Sequence, residues 1–401
     1  MTDIDRALGE IRDRGLLRRM RMVSGPQGPR VLLDGRPVLL LCSNNYLGLA
    51  DHPRVREAAA EAAMRYGAGA GASRLISGTM RIHRRLEERL AEFERSEAAL
   101  LFGSGYLANA GVVQALARRG EVVFSDELNH ASIVDGCRLA GAETFVYRHG
   151  DMEHLAWGLE EAEGRGSLVV TDGVFSMDGD VALLPGIVEL AKRHDARVMV
   201  DEAHGTGAIG PEGRGAVAAA GLEDEVDVIV GTLGKALGSY GAYVCCDQQM
   251  ATFLTNVART FIFSTALPPP AVGAAMAALD LLREQPRRVE KLQRNSAVLR
   301  EALAEAGAPA VPGNTQIVPL LVGCAADAVK ASEKALERGV FAQAIRPPTV
   351  PDGTSRLRLT VMASHTKTEL RDAARVIAAA LPRRLRGRTA GAAFERLADA
   401  A

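Results

Sequence analysis

The sequence contains no long hydrophobic run. No segment offers the roughly 18 uninterrupted apolar residues that a membrane-spanning helix needs. The first residues, from Met1 to Arg6, also lack the basic region and apolar stretch of a secretory leader. We therefore expect a cytoplasmic protein without membrane spans.

An excess of charge of one sign is absent as well, because 48 basic side chains face 49 acidic ones. A nearly neutral protein has no long-range field that attracts nucleic acid or an anionic membrane, so neither is a predicted partner. The five cysteines are scattered without C-x-x-C spacing or clustered histidines, which predicts free thiols and no metal site. With 47% apolar and 24% charged residues, the 401-residue chain has the composition of a globular protein large enough for two domains.

Short apolar runs alternate with longer helical stretches between about residues 38 and 270, which is typical of an α/β protein. The runs are residues 98–102, 121–124, 144–147, 167–171, 197–200 and 226–230. Because they are apolar on both faces, they predict a parallel sheet that helices cover on both sides. Ligands of such sheets bind beyond the carboxyl ends of the strands.

Four segments are predicted along the chain. They are an N-terminal helix and linker (1–37), a large domain (38–270), a small C-terminal domain (271–385) and a tail that frays (386–401). The small domain begins with a long helical pattern that reaches about residue 306. It continues with an apolar run at 316–322 and a helix near 325–338. The alternating pattern at 356–361 predicts a strand that is exposed on one face.

Lys235 lies in the stretch Thr232-Leu-Gly-Lys-Ala-Leu-Gly238, directly after the last apolar run of the large domain. An ordinary lysine, with a pKa of about 10.4, is a poor nucleophile at neutral pH, and the desolvation at a buried strand end lowers that pKa. A lysine so placed among glycines is predicted to form a Schiff base with a carbonyl ligand. A solvated loop lysine is the alternative.

Asp201 ends the run 197–200 and is followed by Glu202, Ala203 and His204. A carboxylate at the end of a buried strand needs a cationic partner, and a protonated pyridine nitrogen is one. A salt bridge or a helix cap is the alternative for Asp201.

The stretch Gly103-Ser-Gly105-Tyr-Leu-Ala108 follows another strand and begins a helix. Its free backbone N–H groups can hold a phosphate at the positive end of the helix dipole. The same letters fit a weak form of the dinucleotide fingerprint, so a dinucleotide-dependent oxidoreductase is an alternative from another class.

Three further polar residues follow strands of the same predicted sheet: His130, Ser176 and Thr232. The imidazole can lie over a flat ring, and the two hydroxyls can donate hydrogen bonds. Together with the phosphate turn, Asp201 and Lys235, they form a set that fits pyridoxal phosphate.

On these residues the chain resembles the α-oxoamine synthases, and among them the 8-amino-7-oxononanoate synthase branch, from about residue 15 to 385. The stretches that carry the resemblance are Ser43-Asn-Asn-Tyr-Leu-Gly-Leu49, Gly71-Ala-Ser-Arg-Leu-Ile-Ser-Gly78, Asn129-His-Ala-Ser132, Asp172-Gly-Val-Phe-Ser-Met-Asp-Gly179, Asp201-Glu-Ala-His-Gly-Thr-Gly207 and Ile345-Arg-Pro-Pro-Thr-Val-Pro351. The resemblance implies a fold type I pyridoxal-phosphate transferase. Such a protein has a mainly parallel seven-stranded sheet in the large domain, a smaller α+β C-terminal domain and an N-terminal helical segment.

The resemblance also implies roles for residues of the large domain. Lys235 would hold the cofactor covalently and later act as a base, and Asp201 would bind the pyridine nitrogen. His130 would stack on the ring and also contact substrate, and His204 would bond the ring hydroxyl. Polar atoms of the cofactor would be bound by Gly105, Tyr106, Ser176 and Thr232.

The implied substrates are L-alanine and a pimeloyl thioester, carried by CoA or by an acyl carrier protein. Arg346 would hold the carboxylate of the amino acid, because a guanidinium fork binds and orients that group. Arg18 and Thr349 match positions that touch the acyl substrate, and Asn44 matches one near the active site. A structural role is the alternative for each of them. The resemblance further implies a homodimer with its active sites at the subunit interface.

Two positions depart from the pattern. Asp172 stands where some relatives have Glu, which leaves its contact with the site open, and Tyr106 adds a hydroxyl that needs a partner. The alternatives to the oxononanoate synthase function are glycine C-acetyltransferase or another α-oxoamine synthase, the oxidoreductase, and a catalytically silent protein of the same fold. The oxidoreductase leaves Lys235, Asp201 and His130 unexplained.

Overall fold

The computed structural model describes residues 3–386. They group into two compact units: unit 1 comprises residues 3–48, 177–179 and 290–386, and unit 2 comprises residues 49–176 and 180–289. Among the described helices, none is long and apolar enough to cross a membrane. The predicted tail lies outside the described residues, except for Arg386. The predicted domain bounds stay a prediction.

The strands and helices have the following bounds. The strands are β1 (Val23–Ser24), β2 (Arg30–Leu33), β3 (Arg36–Leu40), β4 (Ala98–Phe102), β5 (Val122–Asp126), β6 (Glu143–Tyr147), β7 (Ser167–Asp172), β8 (Arg197–Asp201), β9 (Val228–Thr232), β10 (Ala242–Cys246), β11 (Ile317–Gly323), β12 (Val340–Phe341), β13 (Gln343–Ile345) and β14 (Ser355–Thr360). The α-helices are α1 (Ile4–Asp13), α2 (Pro53–Tyr66), α3 (Arg81–Glu94), α4 (Gly105–Leu116), α5 (Ala131–Ala140), α6 (Met152–Glu161), α7 (Leu184–Arg193), α8 (Gly215–Ala220), α9 (Gln248–Val257), α10 (Arg259–Ile262), α11 (Pro269–Glu284), α12 (Arg287–Glu305), α13 (Ala325–Glu337) and α14 (Lys367–Ala380).

Unit 2 is built around a seven-stranded sheet in the order β4, β10, β9, β8, β7, β5, β6. Strand β10 is antiparallel to both of its neighbours, and every other neighbouring pair is parallel. Inner strands such as β5 and β9 are buried along their whole length, whereas the edge strand β6 is mostly exposed. Because inner strands are covered on both faces, they need apolar side chains on both sides. The predicted mainly parallel seven-stranded sheet is confirmed.

The carboxyl ends of six strands meet at one edge of this sheet, because all strands except β10 run in the same direction. Asp172 and Asp201 are paired neighbours at the ends of β7 and β8. The segments that follow β4, β5 and β9 carry Gly105, His130 and Lys235. The topology therefore gathers the predicted cofactor residues of unit 2 at this edge.

Unit 1 contains the four-stranded sheet β1-β2-β3-β12 and the three-stranded sheet β11-β14-β13. The predicted helix near 325–338 is α13. The prediction that the strand at 356–361 is exposed on one face is wrong, because all six residues of β14 are buried. Arg356 forms an ion pair with Asp178, and Arg358 donates to Asn44 Oδ1 at 3.4 Å. Arginines that alternate along a strand give the sequence pattern of an exposed face, but arginines with partners such as these can be buried.

Two helical predictions need adjusted bounds. The N-terminal helix α1 ends at Asp13, because Gly15 has a left-handed backbone conformation with φ of 64° that stops the helix before Leu16 and Leu17. The long pattern from 271 to 306 forms two helices, α11 and α12, which are separated next to Pro286. Proline cannot supply the N–H group that a continuous helix would need there.

Candidate active site

Asp201 is the last residue of β8 and is only 4% exposed. Its Oδ1 accepts a hydrogen bond from the backbone N–H of Ala203 at 2.8 Å, and its Oδ2 accepts from Asn109 Nδ2 at 2.5 Å. Both oxygens therefore act as acceptors. A buried carboxylate held in this way can stabilise a positive charge placed beside it.

His130 caps the N-terminus of α5, and neighbouring strands hold its backbone in place. The backbone N–H group of His130 donates to Asp172 Oδ2 at 3.0 Å. Asn129 accepts from the backbone N–H of Asp172 at 2.9 Å and donates to the carbonyl of Val170 at 2.8 Å. Asp172 thus does contact the site, through the backbone of the residue that is predicted to stack on the cofactor.

Lys235 follows β9 and is half-buried. Its ammonium acts electrostatically on two groups at the same sheet edge. Burial lowers the pKa of His130, Asp201 opposes that change, and Lys235 adds to it. Burial and Asp201 hold the pKa of Asp172 well above its usual range, and Lys235 opposes this rise. His130 is exposed as a residue, yet burial is the largest cause of the lowered pKa of its imidazole, which favours the neutral form.

The turn between β4 and α4 has the geometry of an anion site. Ser104 caps the helix, and its Oγ accepts from the N–H of Leu107 at 3.2 Å. The first N–H groups of a helix have no acceptor within the helix, so those of Gly105 and Tyr106 are available to a ligand. A Cβ atom at Gly105 would meet nothing within 4 Å, which leaves open space above the turn. The extra hydroxyl of Tyr106 donates to Asp135 Oδ2, so it has the partner that it needs.

The remaining predicted cofactor residues of unit 2 are buried at the same sheet edge. Ser176 and Thr232 are each 9% exposed, and His204 is 7% exposed. Thr232 Oγ1 donates to the carbonyl of Gly241 at 3.2 Å and accepts from the N–H of Gly234 at 3.3 Å. The second bond shapes the turn that leads into Lys235.

The predicted substrate residues lie in unit 1 and have partners there. Arg346 donates to the backbone carbonyls of Gly15 and Leu17, the latter at 2.9 Å. The same guanidinium and exposed Arg18 line a cavity of about 840 Å³. Asn44 is half-buried beside Tyr46 and Arg358, and exposed Thr349 donates its N–H to the carbonyl of Arg346 at 3.1 Å.

Three buried residues of the site were not predicted: Asn109, Ser132 and Glu202. Asn109 donates to Ser132 Oγ at 2.8 Å as well as to Asp201, and Ser132 Oγ lies 2.7 Å from His130 Nδ1. Glu202 accepts from the N–H of Val217 at 2.7 Å, and burial raises its pKa to about 7. Helical spacing could have indicated Asn109, which lies one turn after Gly105.

These residues fit pyridoxal phosphate. Buried Asp201 suits a protonated pyridine nitrogen, the open turn at Gly105 suits a phosphate, and Lys235 supplies the amine for a covalent link. A dinucleotide would use only the turn at Gly105 and leave the buried carboxylate without a cation.

Comparison with known proteins identifies the family. The model described as aminotransferase class I and II matches residues 36–377. An 8-amino-7-oxononanoate synthase of Geobacter sulfurreducens is 53% identical over 374 residues, which are 92% of this chain and 96% of that protein. The chain belongs to the 8-amino-7-oxononanoate synthase family.

Solved structures agree with the fold of this family. A serine palmitoyltransferase from S. paucimobilis with a bound PLP–myriocin aldimine matches with a TM-score of 0.89 at 32% identity, over 94% of this chain and 96% of that chain. An 8-amino-7-oxononanoate synthase from Francisella tularensis matches with a TM-score of 0.74 at 26% identity, over 85% of this chain and 97% of that chain. The predicted family and the predicted fold type I are confirmed.

Proposed function

We propose that this chain joins L-alanine to a pimeloyl thioester with loss of CO2, giving 8-amino-7-oxononanoate and the free carrier thiol. The bond formed links the α-carbon of alanine to the thioester carbonyl carbon. The C–S bond and the bond from the α-carbon to the carboxylate are broken, the α-proton that is removed first is replaced by another proton after CO2 has left, and the thiolate takes up a proton to give the free thiol. The observation that carries the proposal is the meeting of Asp201, His130 and Lys235 at one sheet edge in a chain of this family.

Pyridoxal phosphate, when bound, supplies an electron sink that stabilises negative charge at the α-carbon of the amino acid. Asp201 would keep the pyridine nitrogen protonated, and its burial and the hydrogen bonds that both of its oxygens accept support this role. His204 would bond the ring hydroxyl. The turn at Gly105 and Tyr106, with the hydroxyls of Ser176 and Thr232, would bind the remaining polar atoms.

Lys235 has two tasks in this proposal. Its Nζ would hold the cofactor, and as a free amine it would take the α-proton of alanine. The electrostatic effects of Lys235 on the pKa values of His130 and Asp172 support this assignment. A base at this position can reach a substrate held over the same sheet edge.

Arg346 would bind the carboxylate of alanine, which would have to replace the present hydrogen-bond partners of its guanidinium. Its guanidinium donates to the carbonyls of Gly15 and Leu17. A carboxylate offers stronger, charge-assisted bonds than two carbonyls do, so an exchange of partners at Arg346 is favourable. Residues 15–17 would then have to move away from the guanidinium.

The acyl substrate would contact Arg18 and Thr349, with Asn44 near the active site. We also propose a homodimer with active sites formed between subunits, which sedimentation of the purified protein tests. The acyl carrier is either CoA or acyl carrier protein. The proposed location is cytoplasmic, which cell fractionation tests.

The reaction is tested by incubating the purified protein with pimeloyl-CoA and either alanine or glycine, and measuring thiol release and the product mass. The proposal expects alanine to be preferred and 8-amino-7-oxononanoate to form. A clear preference for glycine with acetyl-CoA would refute this assignment in favour of glycine C-acetyltransferase. The same assay with pimeloyl-acyl carrier protein separates the two carriers.

A further inference from the structure

Asp201 and His130 are connected by a row of hydrogen bonds through two buried side chains. We call Asp201, Asn109, Ser132 and His130 the polar row. Asn109 is 1% exposed and Ser132 is 0% exposed. Asn109 Nδ2 donates to Asp201 Oδ2 at 2.5 Å and to Ser132 Oγ at 2.8 Å, and Ser132 Oγ lies 2.7 Å from His130 Nδ1.

The direction of these bonds follows from the carboxylate at one end. An ionised carboxyl group can only accept, so the amide nitrogen of Asn109, and not its oxygen, must face Asp201. The second hydrogen on that nitrogen points to Ser132 Oγ, which accepts it. The hydroxyl proton of Ser132 is then available to His130 Nδ1.

A second, independent contact also indicates that His130 Nδ1 is a hydrogen-bond acceptor. The backbone N–H of Ser132 also points to His130 Nδ1, at 3.3 Å. A backbone N–H can only donate, so Nδ1 must accept and carries no proton. A proton on Nδ1 would oppose both the N–H and the hydroxyl of Ser132.

We infer that Asn109 and Ser132 are positioning residues, which transmit the ionised state of Asp201 to His130 and hold the imidazole as the neutral tautomer with its proton on Nε2. Two titratable groups act electrostatically on this ring, Asp201 at the end of β8 and Lys235 after β9. A third, Asp172 at the end of β7, accepts from the backbone N–H of His130, and its pKa is raised well above its usual range. Burial and Lys235 lower the pKa of His130, which favours the same neutral state. Loss of the Ser132 hydroxyl would make Nδ1 easier to protonate, so the pKa of His130 would rise.

The tautomer determines what His130 can do. With Nδ1 occupied, Nε2–H is the one ring group left to contact reactants, and it is a donor. His130 would therefore donate a hydrogen bond to an oxygen of the bound substrate rather than remove a proton, which leaves proton removal to Lys235. This consequence rests on the proposed function, whereas the tautomer rests only on contacts within unit 2.

The tautomer is tested by nitrogen NMR of the full chain carrying ¹⁵N-labelled histidine, with and without pyridoxal phosphate. The signal that disappears in His130→Gln identifies the residue. At neutral pH the inference expects a neutral ring with its proton on Nε2. A proton on Nδ1, or a doubly protonated ring, would overturn it.

Ser132→Ala tests the positioning role, and Ser296→Ala is its matched control. Ser296 is also buried and donates its hydroxyl to a backbone carbonyl, that of Thr315, but it lies in unit 1. In Ser132→Ala we expect a raised pKa of His130 in the NMR titration and a kcat lowered about 10-fold, with KM for alanine near the wild-type value. An unchanged histidine titration in Ser132→Ala would contradict the inference.

Asn109→Ala is compared with Asn295→Ala. Asn295 is also buried and donates two hydrogen bonds, to the carbonyls of Met362 and His365 at 2.9 and 3.0 Å. Equal thermal destabilisation in the two variants, with a changed histidine titration only in Asn109→Ala, supports the inference. A changed titration in both variants would mean a general structural effect and refute it. Absence of condensation by wild-type protein would refute the proposed function and leave the tautomer assignment standing.

Discussion

The sheet edge of unit 2 buries carboxyl groups, whereas strand β14 of unit 1 buries guanidinium groups, and the two regions stabilise their charges differently. Asp172, Asp201 and Glu202 are at most 4% exposed, and burial raises the pKa of Asp172 and Glu202. Arg356 and Arg358 are 6% and 7% exposed. A carboxyl group can lose its charge by binding a proton, but an arginine cannot, so it must keep a partner.

The two regions also differ in whether their polar groups are already arranged for the proposed reaction. In unit 2, strand ends and helix caps hold the polar groups of the site in one arrangement, as the contacts of Asp201 and His130 show. In unit 1, Arg356 is paired with Asp178, and Arg346 contacts carbonyls of the N-terminal segment. The polar groups of unit 2 are therefore already arranged for the proposed chemistry, whereas Arg346 would have to exchange its partners to take the substrate-binding role proposed for it.

The largest expected effect is that of Lys235→Ala. We expect turnover to fall by at least about 10³-fold, because the proposed function assigns both the covalent link to the cofactor and the base to Lys235. Binding of cofactor and alanine should persist, since the rest of the polar groups remain. Stopped-flow absorbance and product assays measure both. Lys192→Ala is the control, because Lys192 is exposed and pairs with Glu225. Near-normal turnover of Lys235→Ala would rule out its role as the base.

Arg346→Gln and Arg358→Gln compare the proposed substrate-binding arginine of unit 1 with a buried arginine that stabilises the fold. Loss of a bidentate charge-assisted pair should raise KM for alanine about 100-fold in Arg346→Gln, with little change in the unfolding free energy. Arg358→Gln should lower that free energy by about 2–3 kcal/mol, because it removes a buried cation that bonds Asn44 and Tyr46. Alanine titrations and chemical denaturation separate the two outcomes. The reverse pattern would exchange the roles of the two arginines.

A substitution at Glu94 tests whether burial raises the pKa of carboxyl groups in unit 2. It is 1% exposed, accepts from Tyr243 Oη, and burial raises its pKa from 4.5 to about 8. A raised pKa in the folded state gives stability that is present below pH 4.5 and is lost as the pH rises through 8. Glu94→Gln should therefore gain stability relative to wild type between pH 5 and 8, by about 2 kcal/mol. Denaturant titrations across that range measure the gain, and a pH-independent difference would contradict this account.

The sheet and the strand-end residues could be predicted from sequence because both depend on local patterns. Apolar runs give the strands, and polar residues in the segment that follows a run lie near the sheet edge. Asp201 directly follows its run, and Lys235 and His130 lie in the segments that follow theirs. Family resemblance was needed to name the substrates.

The contacts that prediction missed are those made between distant parts of the chain. Asn109 reaches Asp201 from a helix that precedes it by 92 positions, and Arg346 reaches the carbonyl of Gly15 across 331 positions. Such contacts depend on helix rotation and strand register, which a local pattern does not define. The alternating arginines of β14 have the pattern of an exposed face, and only their partners reveal that they are buried.

The central claim, that Lys235 holds pyridoxal phosphate, is tested most directly by reducing the purified protein with borohydride and mapping the labelled peptide by mass spectrometry. We predict a yellow protein whose colour is lost on reduction, with the cofactor fixed to the peptide that contains Lys235. A cofactor fixed to another lysine, or a colourless protein that binds a nicotinamide cofactor instead, would contradict it.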